Sequence, residues 1–135
     1  MEKFRLKAFL NRAPYQLSIG EKRRVTLAAI LAYEPDLLLL DEPTANLSYK
    51  STMEVEEAIV EARDQGKAVV VASHDVEFIA QTADRIYVLN RGETFGGGNT
   101  RAMLTDEEML RLADMRLPLV FETVRRLGLK FREPP

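Results

Sequence analysis

Apolar positions along the chain gather into three short unbroken runs: Leu37-Leu38-Leu39-Leu40, Ala68-Val69-Val70-Val71-Ala72 and Ile86-Tyr87-Val88-Leu89. Continuous runs of this length, with periodic stretches between them, predict buried parallel strands at about 37–41, 67–72 and 85–90. Leucine forms strands weakly, so periodicity alone leaves Leu37–Leu40 ambiguous. Its flanks decide: Glu34-Pro35-Asp36 before it and Pro43 after it mark a short element.

The intervening stretches read as helices. Ser18 to Ala32 opens on Ser-x-x-Glu, a capping box of Ser18 and Glu21. Ser48 to Gln65 carries Met53, Val55, Ala58, Ile59 and Ala62 at helical spacing and stops at Gly66, a natural C-terminal glycine. Asp75 to Thr82 is a shorter helix. Beyond the third strand, Arg91-Gly92-Glu93 reads as a turn. Thr105-Asp106-Glu107-Glu108 reads as a second capping box, and Leu117-Pro118 opens a helix that ends near Gly128. Helices alternate with strands, which predicts an α/β fold. The simplest division is a core over 1–97 and a helical extension over 98–135.

Composition narrows the function classes. The 135 residues suffice for one domain with a real core, and 46% hydrophobic with 30% charged residues is a globular mix. A formal net charge of -2 gives no electrostatic case for nucleic-acid binding. The absence of cysteine excludes disulfides and thiolate metal sites, and it fits a reducing cytoplasm. No apolar run is long enough to span a bilayer. Met1-Glu-Lys-Phe-Arg carries charge where a signal peptide needs an apolar centre, so work at a membrane would need another protein as anchor.

Three segments carry chemistry. The strand Leu37–Leu40 delivers two carboxylates, Asp41 and Glu42, at its C-terminal end, the edge where open α/β sheets bind ligands. Asp41 could support Mg²⁺ directly or through water, and Glu42 could orient or deprotonate an attacking water. Asp-Glu after leucines is equally the composition of an acid-capped turn. Leu17-Ser18-Ile19-Gly20-Glu21 begins a helix, whose free N–H groups and positive dipole end suit a phosphate; Gly20 lets a backbone come close. The same residues also describe an ordinary capping box. His74, the only histidine, lies in Ser73-His74-Asp75 directly after the second strand.

Taken together and in this order, these segments resemble the ABC ATPase family. Leu17–Glu21 is similar to its Leu-Ser-Gly-Gly-Gln signature, and Leu37–Glu42 to its Walker B strand with the catalytic glutamate. Pro43-Thr44-Ala45-Asn46-Leu47-Ser48 is similar to its D-loop, and Ser73–Asp75 to its switch-histidine loop. The tail from Thr105 to Gly128 resembles the C-terminal extension of cobalt-type and energy-coupling-factor importer ATPases. The resemblance implies Glu42 as general base, His74 as sensor of the γ-phosphate and Asp41 as support for Mg²⁺ through water. Ser18, Gly20 and Glu21 would contact ATP held by the opposite subunit of a head-to-tail dimer, with Ser48 in the D-loop.

Departures from the family pattern shape the expectation. Gly-x-x-x-x-Gly-Lys-Ser/Thr is not spelled anywhere; the only Lys-Ser/Thr pair is Lys50-Ser51, with Tyr49 before it. The Q-loop is not found either. Ile19 stands for a signature glycine, Glu21 for glutamine and Ser48 for the D-loop aspartate. The chain is thus expected to be a C-terminal portion of an ABC-type subunit, an incomplete P-loop NTPase core without its phosphate loop. It would be inactive alone and would couple ATP and Mg²⁺ to import only with partners. These are a phosphate-loop-bearing ATPase subunit or N-terminal half, in a homo- or heterodimer, and a membrane transporter subunit that holds it at the inner face of the plasma membrane. An inactive regulatory module and a truncated-gene product are the competing readings. In either case another chain, a strand exchange or a local rearrangement is expected to fill the sheet.

Overall fold

The computed structural model describes residues 6–129. The reading of Met1–Arg5 lies outside them. The chain divides into two compact units, residues 1–73 and 74–135.

The first unit opens with two short 3-10 turns, Leu6–Phe9 and Pro14–Gln16, and continues into helix α1, Ile19–Leu31. Strand β1 spans Leu37–Asp41, helix α2 Tyr49–Asp64 and strand β2 Ala68–Ala72. β1 and β2 pair in parallel, in register from Leu37↔Ala68 to Asp41↔Ala72. Each helix starts where its serine predicts. Ser18 caps α1 and Ser48 caps α2, each accepting the N–H three residues on. Gly66, at φ 82°, ends α2 in the left-handed conformation that glycine adopts without strain.

The core of this unit is one apolar seam. Leu27 and Leu31 of α1, Ala58, Ile59 and Ala62 of α2, and Leu38, Leu40 and Val69 of the sheet line it together. Val55 and Leu38 are fully buried. Side chains of this size each contribute about 1.5–3 kcal/mol when taken out of water. The strands were expected to be buried on both faces, and here the structure differs. Leu37, Leu39 and Val70 remain 51%, 71% and 57% exposed. Side chains alternate across a strand, so helices packed on one face cover Leu38 and Leu40 of β1 and Val69 and Val71 of β2.

The second unit starts at His74. Helix α3 is Val76–Thr82, strand β3 Arg85–Asn90 and strand β4 Glu93–Asn99, followed by α4 (Thr100–Thr105), α5 (Glu107–Leu112) and α6 (Leu119–Arg126). Phe78, Val88, Met103, Leu104 and Leu110 are buried. The strand expected at 85–90 forms, but its partner is β4, and the pair is antiparallel with a bulge between Ile86 and Tyr87. β4 runs through Gly96-Gly97-Gly98, which pattern alone reads as a break. The glycines are there for closeness. A Cβ on Gly96 would lie 2.2 Å from Met103 Cε, and one on Gly97 2.8 Å from the Tyr87 ring. The second capping box expected at Thr105 does not form: Thr105 closes α4, and Asp106 caps α5 alone, accepting from the N–H groups of Glu108 and Met109.

The expected α/β class and the helical C-terminal extension are both present. Among the described residues no helix is long and apolar enough to cross a membrane.

Candidate functional site

Two of the expected site residues meet at the C-terminal end of β1. Asp41 ends the strand with its carboxylate exposed, opposite Ala72 of β2. The next residue, Glu42, leaves the strand abruptly at φ 42°. A non-glycine residue in that left-handed region costs of order 1–3 kcal/mol and persists only where its surroundings hold it. They do so here. Glu42 N–H donates to Ala72 O at 2.9 Å, and Glu42 O accepts from Ala45 N–H at 3.2 Å. The same carbonyl accepts from Arg23 Nη2 at 3.1 Å. The hydroxyl of Ser73, at the end of β2, donates to Glu42 Oε2 in a long bond of 3.4 Å. Pro43 and Thr44, which follow, are buried. Asn46 repeats the positive φ at 59°, and the loop then closes on Ser48, the cap of α2.

The expected signature segment is a closed capping box. Glu21 N–H donates to Ser18 Oγ at 3.2 Å, and Ser18 N–H donates to Glu21 Oε2 at 2.8 Å. Those bonds hold the Glu21 carboxyl below its ordinary value of 4.5: the Ser18 backbone bond contributes most, then the Ser18 side-chain bond, with Arg12 and Arg24 adding positive charge. Arg12 Nη1 lies 3.5 Å from Glu21 Oε1. Ser18 Oγ accepts within the box, and its own O–H remains a donor. Among the described residues, the N–H groups of Ile19 and Gly20 are the first-turn donors not used by the box.

Gly20 has a local reason to be glycine. A Cβ there would lie 2.5 Å from Ser51 Oγ and 3.1 Å from Ser51 Cβ. The first turns of α1 and α2 therefore touch at Gly20 and Ser51, beside Ser48, whose hydroxyl donates to Ser51 Oγ at 3.2 Å. Farther along, Arg24 pairs with Glu54 of α2, Nε to Oε2 at 3.2 Å, and lies over the Phe9 ring at 5.0 Å. The Nε contact is an ion pair without hydrogen-bond geometry; the bond is Nη1 to Oε1 at 3.4 Å. Together these contacts fix α1 against the start of α2.

His74 is exposed and opens the second unit. Asp75 caps α3, accepting from the N–H groups of Glu77 and Phe78 at 3.1 Å each. Asp41, Glu42 and Ser73 are thus brought together in the first unit, and His74 follows Ser73 in the chain.

No cluster of three or more His, Cys, Asp or Glu side chains able to hold a metal occurs among the described residues. Magnesium does not need one: it commonly keeps waters and takes one or two carboxylates plus substrate phosphates. The exposed Asp41 carboxylate, with no ion-pair partner among the described residues, fits that pattern. Sequence reasoning missed Arg23 and Ser73 as neighbours of Glu42. A guanidinium 19 positions before a backbone carbonyl leaves no mark in a pattern.

With this geometry in place, comparison with known proteins becomes informative. A family model described as ABC transporter matches residues 1–45. The chain is similar to ATP-binding proteins of ABC transporters over nearly all its length. It is 40% identical over 127 residues to the energy-coupling factor transporter ATP-binding protein EcfA of Methanothermobacter thermautotrophicus, covering 94% of this chain and 41% of that one. It is 36% identical over 130 residues to EcfA2 of Methanospirillum hungatei, covering 96% and 33%. Among solved structures, cbiO1 of Clostridium perfringens, part of the ABC transporter complex cbiONQ, superposes with a TM-score of 0.69 at 28% identity, covering 92% of this chain and 50% of that one. The chain therefore spans a third to a half of the length of these relatives.

The family match corrects one expectation. The chain was to be a C-terminal portion recognisable by a missing phosphate loop, but the family model lies on residues 1–45, at the head of the chain. That expectation rested on the spelling of one short motif, whereas a family match is carried by every residue of the stretch. The description is not retained.

Proposed function

We infer that this chain is part of an ATP-driven ABC importer ATPase, with its hydrolytic carboxylates at the end of β1. The observation that carries the reading is the convergence of Asp41, Glu42 and Ser73 at the C-terminal end of a parallel strand pair, in a chain similar to energy-coupling factor ATP-binding proteins. Glu42 acts as general base. Its carboxylate takes a proton from water as the water oxygen bonds to the γ-phosphorus and the bond to the departing diphosphate oxygen breaks. Asp41 would support Mg²⁺ through water, and the ion would supply neutralisation of charge on the phosphate oxygens. His74 donates to the γ-phosphate.

Turnover requires a companion ABC-type ATPase chain that pairs with this one. Both strands of the first unit keep an edge without a strand partner among the described residues, and Leu37, Leu39 and Val70 leave one face open. Bare edges and faces of this kind are normally covered. In a head-to-tail arrangement, the Ser18 hydroxyl and the Ile19 and Gly20 N–H groups serve ATP held by the opposite subunit. Glu21 keeps that helix start in shape, and Ser48 anchors the loop behind Glu42. The coupled work is transport through a membrane subunit, which places the assembly at the inner face of the plasma membrane.

The test is reconstitution. The chain alone is expected to hydrolyse no Mg-ATP, and addition of a companion ATPase chain restores turnover. Glu42→Gln should then lower kcat by about 10²–10⁴-fold. Mg-ATP hydrolysis by the isolated chain at the rate of the reconstituted pair would sink the partner requirement. Undiminished turnover in Glu42→Gln would remove Glu42 as the base.

A further inference from the structure

We propose that Arg23 is a positioning residue for Glu42: from the signature helix, its guanidinium holds the Glu42 backbone in the left-handed turn that aims the carboxylate at Ser73. The inference rests on the reading of Glu42 as general base.

The argument begins with strand alternation. Residues two apart share a face of a strand, so an extended residue 42 would follow Leu38 and Leu40. That face lies under α1 and α2, where Leu38 is buried and Leu40 half-buried. A carboxylate sent there would enter an apolar seam, and burying an unpaired charge is prohibitive. The positive φ of Glu42 breaks the alternation and takes the side chain to Ser73 Oγ instead.

Glutamate does not choose this conformation by itself, because its Cβ meets backbone oxygen there. Two of the restraints lie within the sheet and its loop: the bond to Ala72 O of β2 continues the β ladder, and the bond from Ala45 closes a turn. Neither comes from a helix. The Arg23 bond does, arriving from α1 at 3.1 Å in a half-buried setting. It is charge-assisted, and such bonds are the stronger class. α1 is itself fixed in place by the Arg24–Glu54 pair and the Gly20–Ser51 contact. Arg23 therefore connects a rigid helix to the peptide that sets the carboxylate's direction. Any movement of the signature segment is felt at Glu42 through this bond.

The experiment uses the full chain with Arg23→Met, which keeps the aliphatic stem and removes the donor, and Arg23→Lys, which keeps a cationic donor. The first readout is the left-handed signature of residue 42, from its Cα and Cβ chemical shifts and its amide–Hα coupling by NMR. The expected result is loss of that signature in Arg23→Met and its retention in Arg23→Lys. An unchanged signature in Arg23→Met overturns the proposal. The second readout is turnover with a companion ATPase chain. Misdirection of a reacting group by about 1 Å costs roughly 100-fold, so Arg23→Met should lose about that factor in kcat with KM for ATP unchanged, and Arg23→Lys should recover most of it. Loss of the signature with full turnover upholds the positioning and refutes Glu42 as the base, which keeps the two failures distinct. Should Arg23→Met not fold, Arg23→Gln, a shorter neutral donor, carries the same comparison.

Discussion

Glu77 Oε1 accepts the backbone N–H of Leu119 at 2.6 Å. Glu77 lies in the first turn of α3, and Leu119 is the first residue of α6, 42 positions later. Pro118, at the N-cap, offers no side-chain cap, so α6 takes its cap from another helix. Glu107 adds a second hold on α6 through its 2.8 Å pair with Arg125.

Removal of that acceptor should loosen α6 selectively. Glu77→Ala is expected to cost about 1 kcal/mol, the usual loss of a cap, and to raise hydrogen exchange across Leu119–Arg126 while α1 and α2 keep their protection. Uniform exchange changes, or none in α6, would show that the cap does not hold the helix.

The touching of α1 and α2 is equally open to test. Gly20→Ala places a methyl 2.5 Å from Ser51 Oγ, and overpacking of this kind costs about 1–3 kcal/mol. Ser51→Gly removes the obstructing atoms, so the double variant should recover most of the loss in denaturant midpoint. Equal destabilisation in both backgrounds would mean that the penalty arises elsewhere.

A third expectation concerns acid. The Glu21 carboxyl titrates below its ordinary 4.5 because the capping box favours its charged form. A depressed folded value adds stability that is complete above the unfolded value and is lost as pH falls through the folded one. Melting temperature should therefore drop on acidification below about pH 4.5 more steeply in the wild type than in Glu21→Gln, whose amide oxygen accepts from Ser18 at every pH. Parallel pH profiles of the two proteins would contradict this.

In the second unit, Gly96→Ala combines a φ of 90° with a methyl 2.2 Å from Met103 Cε. A loss of roughly 2–4 kcal/mol is expected from backbone strain and crowding together. Met103→Ala should relieve only the crowding. Full rescue by that change, read from thermal unfolding, would show that the backbone at Gly96 is unstrained.

Local signals were the legible ones. Ser18 with Glu21, Ser48, Gly66 and Asp75 mark helix ends through bonds that span two to four residues, so the sequence states them directly. The runs Leu37–Leu40 and Ala68–Ala72 were legible as parallel strands, but not their open face, because a run of leucine and valine looks the same whether one side or both are covered. β4 was hidden because three glycines pack against Met103 and Tyr87 from across the chain. At the site, the positions of Asp41 and Glu42 followed from the strand end, whereas the left-handed turn at Glu42 and the reach of Arg23 depend on a neighbour that only folding supplies. The Glu77–Leu119 cap is unreadable for the same reason.

The two-stranded sheet of the first unit carries one more consequence. α1 and α2 lie against one side of β1 and β2, which gives this short pairing the support it needs in water. On the other side Leu37, Leu39 and Val70 stay exposed. Stability of the unit is therefore one-sided: polar residues at those three positions should be tolerated, whereas the same change at Leu38 should not.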